Sequence, residues 1–103
     1  MIAMSCGLKN EILDTINKIL GNYSNIDKAI VFGSRAKGNF QPYSDIDIAL
    51  FGNVDTSTVE FIICELDELP TAYTFDVIVY NSIKHDAFRE HIDRVGVMIY
   101  ERD

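Results

Sequence analysis

Apolar residues recur along the chain in two different rhythms. Leu8, Ile12, Leu13, Ile16, Ile19 and Leu20 follow helical spacing, and Gly21-Asn22 supplies a stop, so the chain opens on an amphipathic helix. Residues 29–33 (AIVFG) form a short β-branched and aromatic run closed by glycine, which predicts a strand. In DIDIALF the period is two: Asp45, Asp47 and Ala49 fall on one face of a strand, and Ile46, Ile48 and Leu50 on the other. Ser57 followed by Glu60 is a capping-box pattern that opens a second helix with the core stripe Val59, Ile62, Ile63 and Leu66, ended by Pro70. Residues 74–80 (TFDVIVY) predict a third strand, interrupted by Asp76. Asn81 or Ser82 is placed to cap a last helix carrying Phe88, Ile92 and Val95, and the tail GVMIYE is extended.

Helix, strand, turn, strand, helix, strand, helix and tail describe an α/β (α+β) domain. Its small mixed sheet should carry helices mainly on one face, leaving the other side free for a ligand. With 103 residues and no repeat, low-complexity tract or linker, one domain over residues 1–103 is expected.

Charge sharpens this picture. The net charge of −7 disfavours loose contact with DNA, RNA or anionic membranes, so a polyanionic ligand would be handled locally, through a metal ion. Residues 33–43 contain no acid, yet hold Arg35 and Lys37. Gly33 allows close backbone approach to a ligand, and Ser34 offers a hydroxyl and an N–H to phosphate oxygens. This is neither a P-loop, which needs Gly-Lys-Ser/Thr, nor an EF-hand loop, which needs more acids at closer spacing.

Beside that basic turn stand two same-face aspartates, separated by about 6.6 Å along a strand. Without a cation, Asp45 and Asp47 repel each other; together they can share a divalent ion. Mg²⁺ suits them, because it takes one or two carboxylates and completes its shell with water and phosphate oxygens. Asp76, on a neighbouring strand, would complete a two-metal site for in-line displacement at phosphorus, or accept the proton of an attacking hydroxyl. An Asp-x-Asp pair alone is as often mere solvated surface; its combination with the acid-free turn and a third acid is far more specific.

At these residues the chain resembles the DNA polymerase β-like nucleotidyltransferases. Gly33-Ser34 followed ten residues later by Asp45-Ile46-Asp47 matches their signature, and GSRAKG with SDIDIAL is similar to the minimal nucleotidyltransferases, the MNT proteins such as the MntA antitoxins. The likeness runs from residue 29 through FDVIVY to VGVMIY. It implies that Asp45, Asp47 and Asp76 are the catalytic acids and hold two Mg²⁺ ions, and that Gly33, Ser34 and Arg35 bind the triphosphate. Lys37, where arginine is common, keeps the charge. It further implies transfer of a nucleoside monophosphate, AMP from ATP, to an acceptor hydroxyl, with release of pyrophosphate. The implied partner is an all-helical HEPN protein in a hetero-oligomer, whose tyrosine the antitoxin adenylylates. Two other readings stand beside this one: an antitoxin that neutralises a HEPN partner by occluding it, and a small-molecule transferase acting on an aminoglycoside-like hydroxyl. No DNA binding is expected.

Other residues carry weaker signals. Cys6 and Cys64 lack metal or redox spacing and read as buried or inert thiols of a reducing cytoplasm. The N-terminus carries no secretory leader, and no run approaches the length of a membrane span, so a cytoplasmic location is expected. His85 and His91 are six apart and read as surface residues. The five tyrosines read as packing residues, Tyr43 also as a possible base-stacking platform, and Asp67 is a reserve third ligand should Asp76 point elsewhere.

Overall fold

The computed structural model describes residues 10–33, 45–71 and 73–102. Helix α1 (Asn10–Gly21) buries Leu13, Ile16, Ile19 and Leu20 along one stripe, with Ile12 at its margin. Strand β1 (Ile26–Phe32) begins earlier than the run AIVFG suggests. Ile26 is fully buried, but the polar pair Asp27-Lys28 breaks the alternation, and the register against β2 (Ile46–Gly52) shifts between Ile26 and Lys28. A bulge thus hid the first residues of the strand from a period-two reading.

Helix α2 (Thr56–Asp67) starts two residues before Glu60's expected partner Ser57 would place its cap. Asp55 is the cap: its carboxylate accepts the Thr58 N–H at 2.8 Å, which lowers its pKa below the ordinary carboxylate value. Ile62 and Leu66 are buried, Val59 and Ile63 pack at the core's margin, and the helix ends before Pro70. Strand β3 (Phe75–Val79) follows, then a 3₁₀ turn over Tyr80–Ser82. That turn absorbs Asn81 and Ser82, so neither caps the last helix. Helix α3 (Asp86–Val95) is entered from His85, which makes no side-chain capping bond. The tail GVMIYE is a full strand, β4 (Val97–Glu101).

The sheet runs β3-β2-β1-β4. β1 is antiparallel to both β2 and β4, whereas β2 and β3 are parallel and joined through α2. One face, with Ala29, Val31, Ile46, Ile48, Leu50, Phe75 and Val77, meets α1 and α2 in the main core. Strands with one face fully buried and one part-covered explain why β2 alternates so cleanly.

The opposite face is not wholly free. Ile92 of α3 packs on Phe32 and Ala49, with Ile30, Phe51, Ile78 and Tyr80 around them. The Phe51 and Tyr80 rings stack at 4.2 Å, the Lys28 ammonium lies 4.6 Å from the Phe51 ring centre, and the Tyr80 hydroxyl donates to Asp93 of α3 at 2.8 Å. This chain of contacts fixes α3 over part of the face.

The main core is closed from the other side by polar ties. The Tyr23 hydroxyl donates to the Glu65 carboxylate of α2, and this bond to an acid pushes the phenol pKa up to about 12. The Arg102 guanidinium donates to the carbonyls of Ile26 at 3.1 Å and Tyr23 at 2.6 Å, which pins the end of β4 to the start of β1. Cys64 is free and exposed on α2 rather than buried. Among the described residues, no helix is long and apolar enough to cross a membrane.

Candidate active site

β1, β2 and β3 place Phe32, Asp47 and Asp76 in one row, as direct register partners across the sheet. Side chains in a row point to the same face, and neighbouring strands lie about 4.8 Å apart. The carboxyls of Asp47 and Asp76 therefore stand side by side on the face opposite the main core. Asp45, just before β2, shares that face two positions away. Asp47 is half-buried, while Asp45 and Asp76 are exposed.

The electrostatics follow from this row. Burial raises the Asp47 pKa above the ordinary carboxylate value, and the negative charges of Asp76 and Asp45 raise it further. The strand repulsion anticipated between Asp45 and Asp47 is thus present, but the Asp76 charge acts on Asp47 more strongly than Asp45 does.

Gly33 closes the end of β1 with φ of 78°, in the left-handed region. A Cβ built on it would fall on the Asp47 carboxylate. The glycine thus provides room for that carboxyl group. On the β1 side, the Phe32 ring meets Phe88 of α3 edge-on at 5.6 Å and 73°, forming an apolar wall beside the acids. Neither phenylalanine stood out in the sequence as part of a site, although Phe32 immediately precedes the glycine turn.

Among the described residues, no group of three or more His, Cys, Asp or Glu side chains closes around a metal position. The acids form an open row, not a cage. Such a row fits Mg²⁺, which keeps water and takes substrate oxygens beside one or two carboxylates. A divalent cation there would also remove the repulsion that raises the Asp47 pKa. Ser34, Arg35, Lys37 and Tyr43 lie outside the described residues, as does Cys6. Asp67 is exposed at the end of α2, on the other side of the sheet, and plays no part in the row. His85 and His91 do not face each other as a pair: one enters α3 and the other lies within it.

An expected result follows from the raised pKa of Asp47. A raised folded-state pKa gives stability that is fully present below the ordinary carboxylate pKa and lost as pH rises through the raised value. Asp47→Asn should therefore raise the melting temperature of the metal-free protein near neutral pH, and the gain should vanish in acid. Melting curves in a chelator at several pH values check this; a variant that is less stable than the parent at neutral pH would contradict it.

Comparison with known proteins completes the picture. The chain resembles solved toxin–antitoxin structures, at a level of identity that speaks to fold. One, a toxin–antitoxin with AMP-PNP, aligns with TM-score 0.71 and 17% identity over 93% of this chain and 76% of that one. Another is a tri-AMPylated Shewanella oneidensis HEPN toxin in complex with MNT antitoxin, with TM-score 0.68, 16% identity and coverage of 92% and 74%. A third, the toxin–antitoxin MntA-HepT, gives TM-score 0.61, 18% identity and coverage of 91% and 74%. No curated protein sequence matches the chain. The family profile for "Polymerase beta, Nucleotidyltransferase" matches residues 14–103, which takes in every strand of the sheet, the glycine turn and all three acids. With that profile spanning most of its length and the fold to match, the chain belongs to the polymerase beta nucleotidyltransferase family.

Proposed function

We propose that this protein transfers AMP from ATP to a hydroxyl of a HEPN-type partner protein, as the antitoxin of a HEPN/MNT pair in the cytoplasm. The observation that carries the reading is the row of Asp47 and Asp76 on adjacent parallel strands, with Gly33 making room for the Asp47 carboxylate. The similarity to an MNT antitoxin found with an AMPylated HEPN toxin supports the choice of nucleotide and partner.

In this reading Asp45, Asp47 and Asp76 hold Mg²⁺, with room for two ions, and Gly33, Ser34 and Arg35 hold the triphosphate. Bound Mg²⁺ supplies a Lewis acid that offsets charge on the phosphate oxygens. The acceptor oxygen, a tyrosine hydroxyl, attacks the α-phosphorus. A new phosphoester bond forms, the bond from the α-phosphorus to the bridging oxygen breaks, and pyrophosphate leaves. Asp76 is exposed and adjacent to Asp47, so its carboxylate is placed to accept the hydroxyl proton. The Phe32–Phe88 pair gives one flank of the row an apolar border.

Intact-mass measurement of this protein and a HEPN partner, after incubation with ATP and Mg²⁺, tests the reading directly. AMP on the partner is the expected product. A tight complex without added mass, under conditions where ATP binds, would replace this reading with that of an occluding antitoxin. Ser34→Ala with Arg35→Ala should weaken ATP binding about tenfold or more in calorimetric titration, because phosphate contacts made by charged groups are among the stronger hydrogen bonds. Unchanged affinity would remove those two residues from the triphosphate site.

A further inference from the structure

Two large apolar side chains among the described residues are exposed, Phe61 and Phe88. Phe61 lies on α2, which packs on the face away from the acids. Phe88 lies on α3, over the same face as the acid row. It meets the buried Phe32 ring edge-on, a contact that leaves ring surface uncovered, and Phe88 stays 38% exposed. Phe32 is the register partner of Asp47 and immediately precedes Gly33. The next row on this face holds Ala49 and Ile78, about 6.6 Å along the strands from Asp47 and Asp76. At Ile78 a cavity of about 370 Å³ opens and runs to Phe88. Val79 and Ile83 add to its apolar lining, and Ser82 and His85 give it polar groups. The cavity therefore begins one same-face step from the acids.

We infer that this cavity receives the base of the nucleoside triphosphate and that Phe88 stacks on it, an inference that rests on the transferase reading above. That reading puts the α-phosphorus at the acid row and the triphosphate at Gly33, next to Phe32. The base is joined to this phosphorus through a ribose, which has to bridge about one same-face step, about 6.6 Å, to reach the cavity. Lining chemistry selects a base over the other ring in the reaction, the phenol of the acceptor. A nucleobase is apolar on both faces and polar around its edge. Phe88, Ile78 and Ile83 offer surface to the faces, and the Ser82 hydroxyl and His85 imidazole offer hydrogen bonds to the edge. The His85 side chain makes no capping bond, so its imidazole is not committed to α3. A phenol carries one polar atom, which the reaction needs at Asp76, and would leave both groups unused. The base is also uncharged, so the acids of this chain do not repel it. The charge of the nucleotide stays at the row, with the cation.

The test compares ATP with inorganic tripolyphosphate, which carries the phosphates without a base, both with Mg²⁺ and the full chain. In calorimetric titration, Phe88→Leu should weaken ATP binding about tenfold, close to 1.4 kcal/mol, and leave tripolyphosphate affinity unchanged. Leucine keeps apolar bulk against Phe32 but offers no aromatic face, and retained tripolyphosphate binding shows that the fold and the acids are intact. Phe88→Tyr should restore ATP binding. The chain has no tryptophan, so Phe88→Trp adds a single fluorophore at the stacking position. ATP should quench its emission, and tripolyphosphate should not. Unchanged ATP affinity in Phe88→Leu, equal losses of both ligands, or equal quenching by both would overturn the inference and leave the transferase reading standing. A raised KM for the acceptor protein with unchanged ATP affinity would also overturn it, and would assign the ring to the acceptor's phenol. If the unaltered protein binds neither ligand, the transferase reading itself fails and takes the inference with it.

Discussion

Asp76→Asn should lower AMP transfer by about a thousandfold, close to 4 kcal/mol of transition-state stabilisation, while leaving the fold intact. The side chain is exposed and keeps its shape in the variant, so no packing is lost. What changes is charge. Asp76 is the register partner of Asp47, and its charge contributes to the raised Asp47 pKa. A neutral amide in its place leaves a single half-buried carboxylate beside exposed Asp45 to hold the metal. On the proposed mechanism it also removes the group that takes the acceptor's proton. Relief of repulsion should make the metal-free variant no less stable than the parent, so lost activity cannot be blamed on unfolding. Single-turnover transfer, followed by the mass of the acceptor, measures the effect. A loss smaller than about tenfold, less than 1.4 kcal/mol, would take Asp76 out of the reaction and leave Asp45 and Asp47 as the whole acidic site.

The placement of Asp45 and Asp47 was legible because it rests on local periodicity. Period-two alternation in DIDIALF places Asp45 and Asp47 on one face, and burial of Ile46, Ile48 and Leu50 on the other face shows the same division. That Asp76 would stand beside Asp47 depends on a longer rule. Parallel β2 and β3, joined through a helix, tend to be neighbours, and equal spacing of the two acids from their strand starts puts them level. Contacts between distant segments were less visible. Asp55 displaced Ser57 as the α2 cap because an acid two residues earlier reaches Thr58, a choice that depends on the entry angle from β2. The placement of α3 on the face of the acid row rests on Ile92 meeting Phe32 and Ala49, and on the Tyr80–Asp93 bond, none of which has a local pattern. The tail was readable as extended, but its partner was not. β4 joins β1 because Gly96 allows a one-residue turn out of α3: a Cβ there would press on Ile30.

Gly33→Ala should be nearly as damaging as loss of an acid, through a methyl group alone. Its φ of 78° places it where an L-residue costs about 1–2 kcal/mol. For a domain of this size that cost lowers the melting temperature by roughly 4–8 °C per kcal/mol. The methyl would also overlap the Asp47 carboxylate. One of two things must move: the Asp47 side chain, away from its place beside Asp76, or the backbone at Gly33 itself. On the proposed mechanism either displaces a group assigned to metal or triphosphate, and misplacement of about 1 Å can cost about a hundredfold in rate. The two contributions can be separated by a double-mutant cycle with Asp47→Ala, because sites in contact fail to add. If the methyl acts by striking the carboxylate, Gly33→Ala should destabilise the Asp47→Ala background less than it destabilises the parent. The remaining cost then belongs to the left-handed backbone. Equal destabilisation in both backgrounds would mean that the glycine serves the turn alone, and that the Asp47 carboxylate has another place to stand.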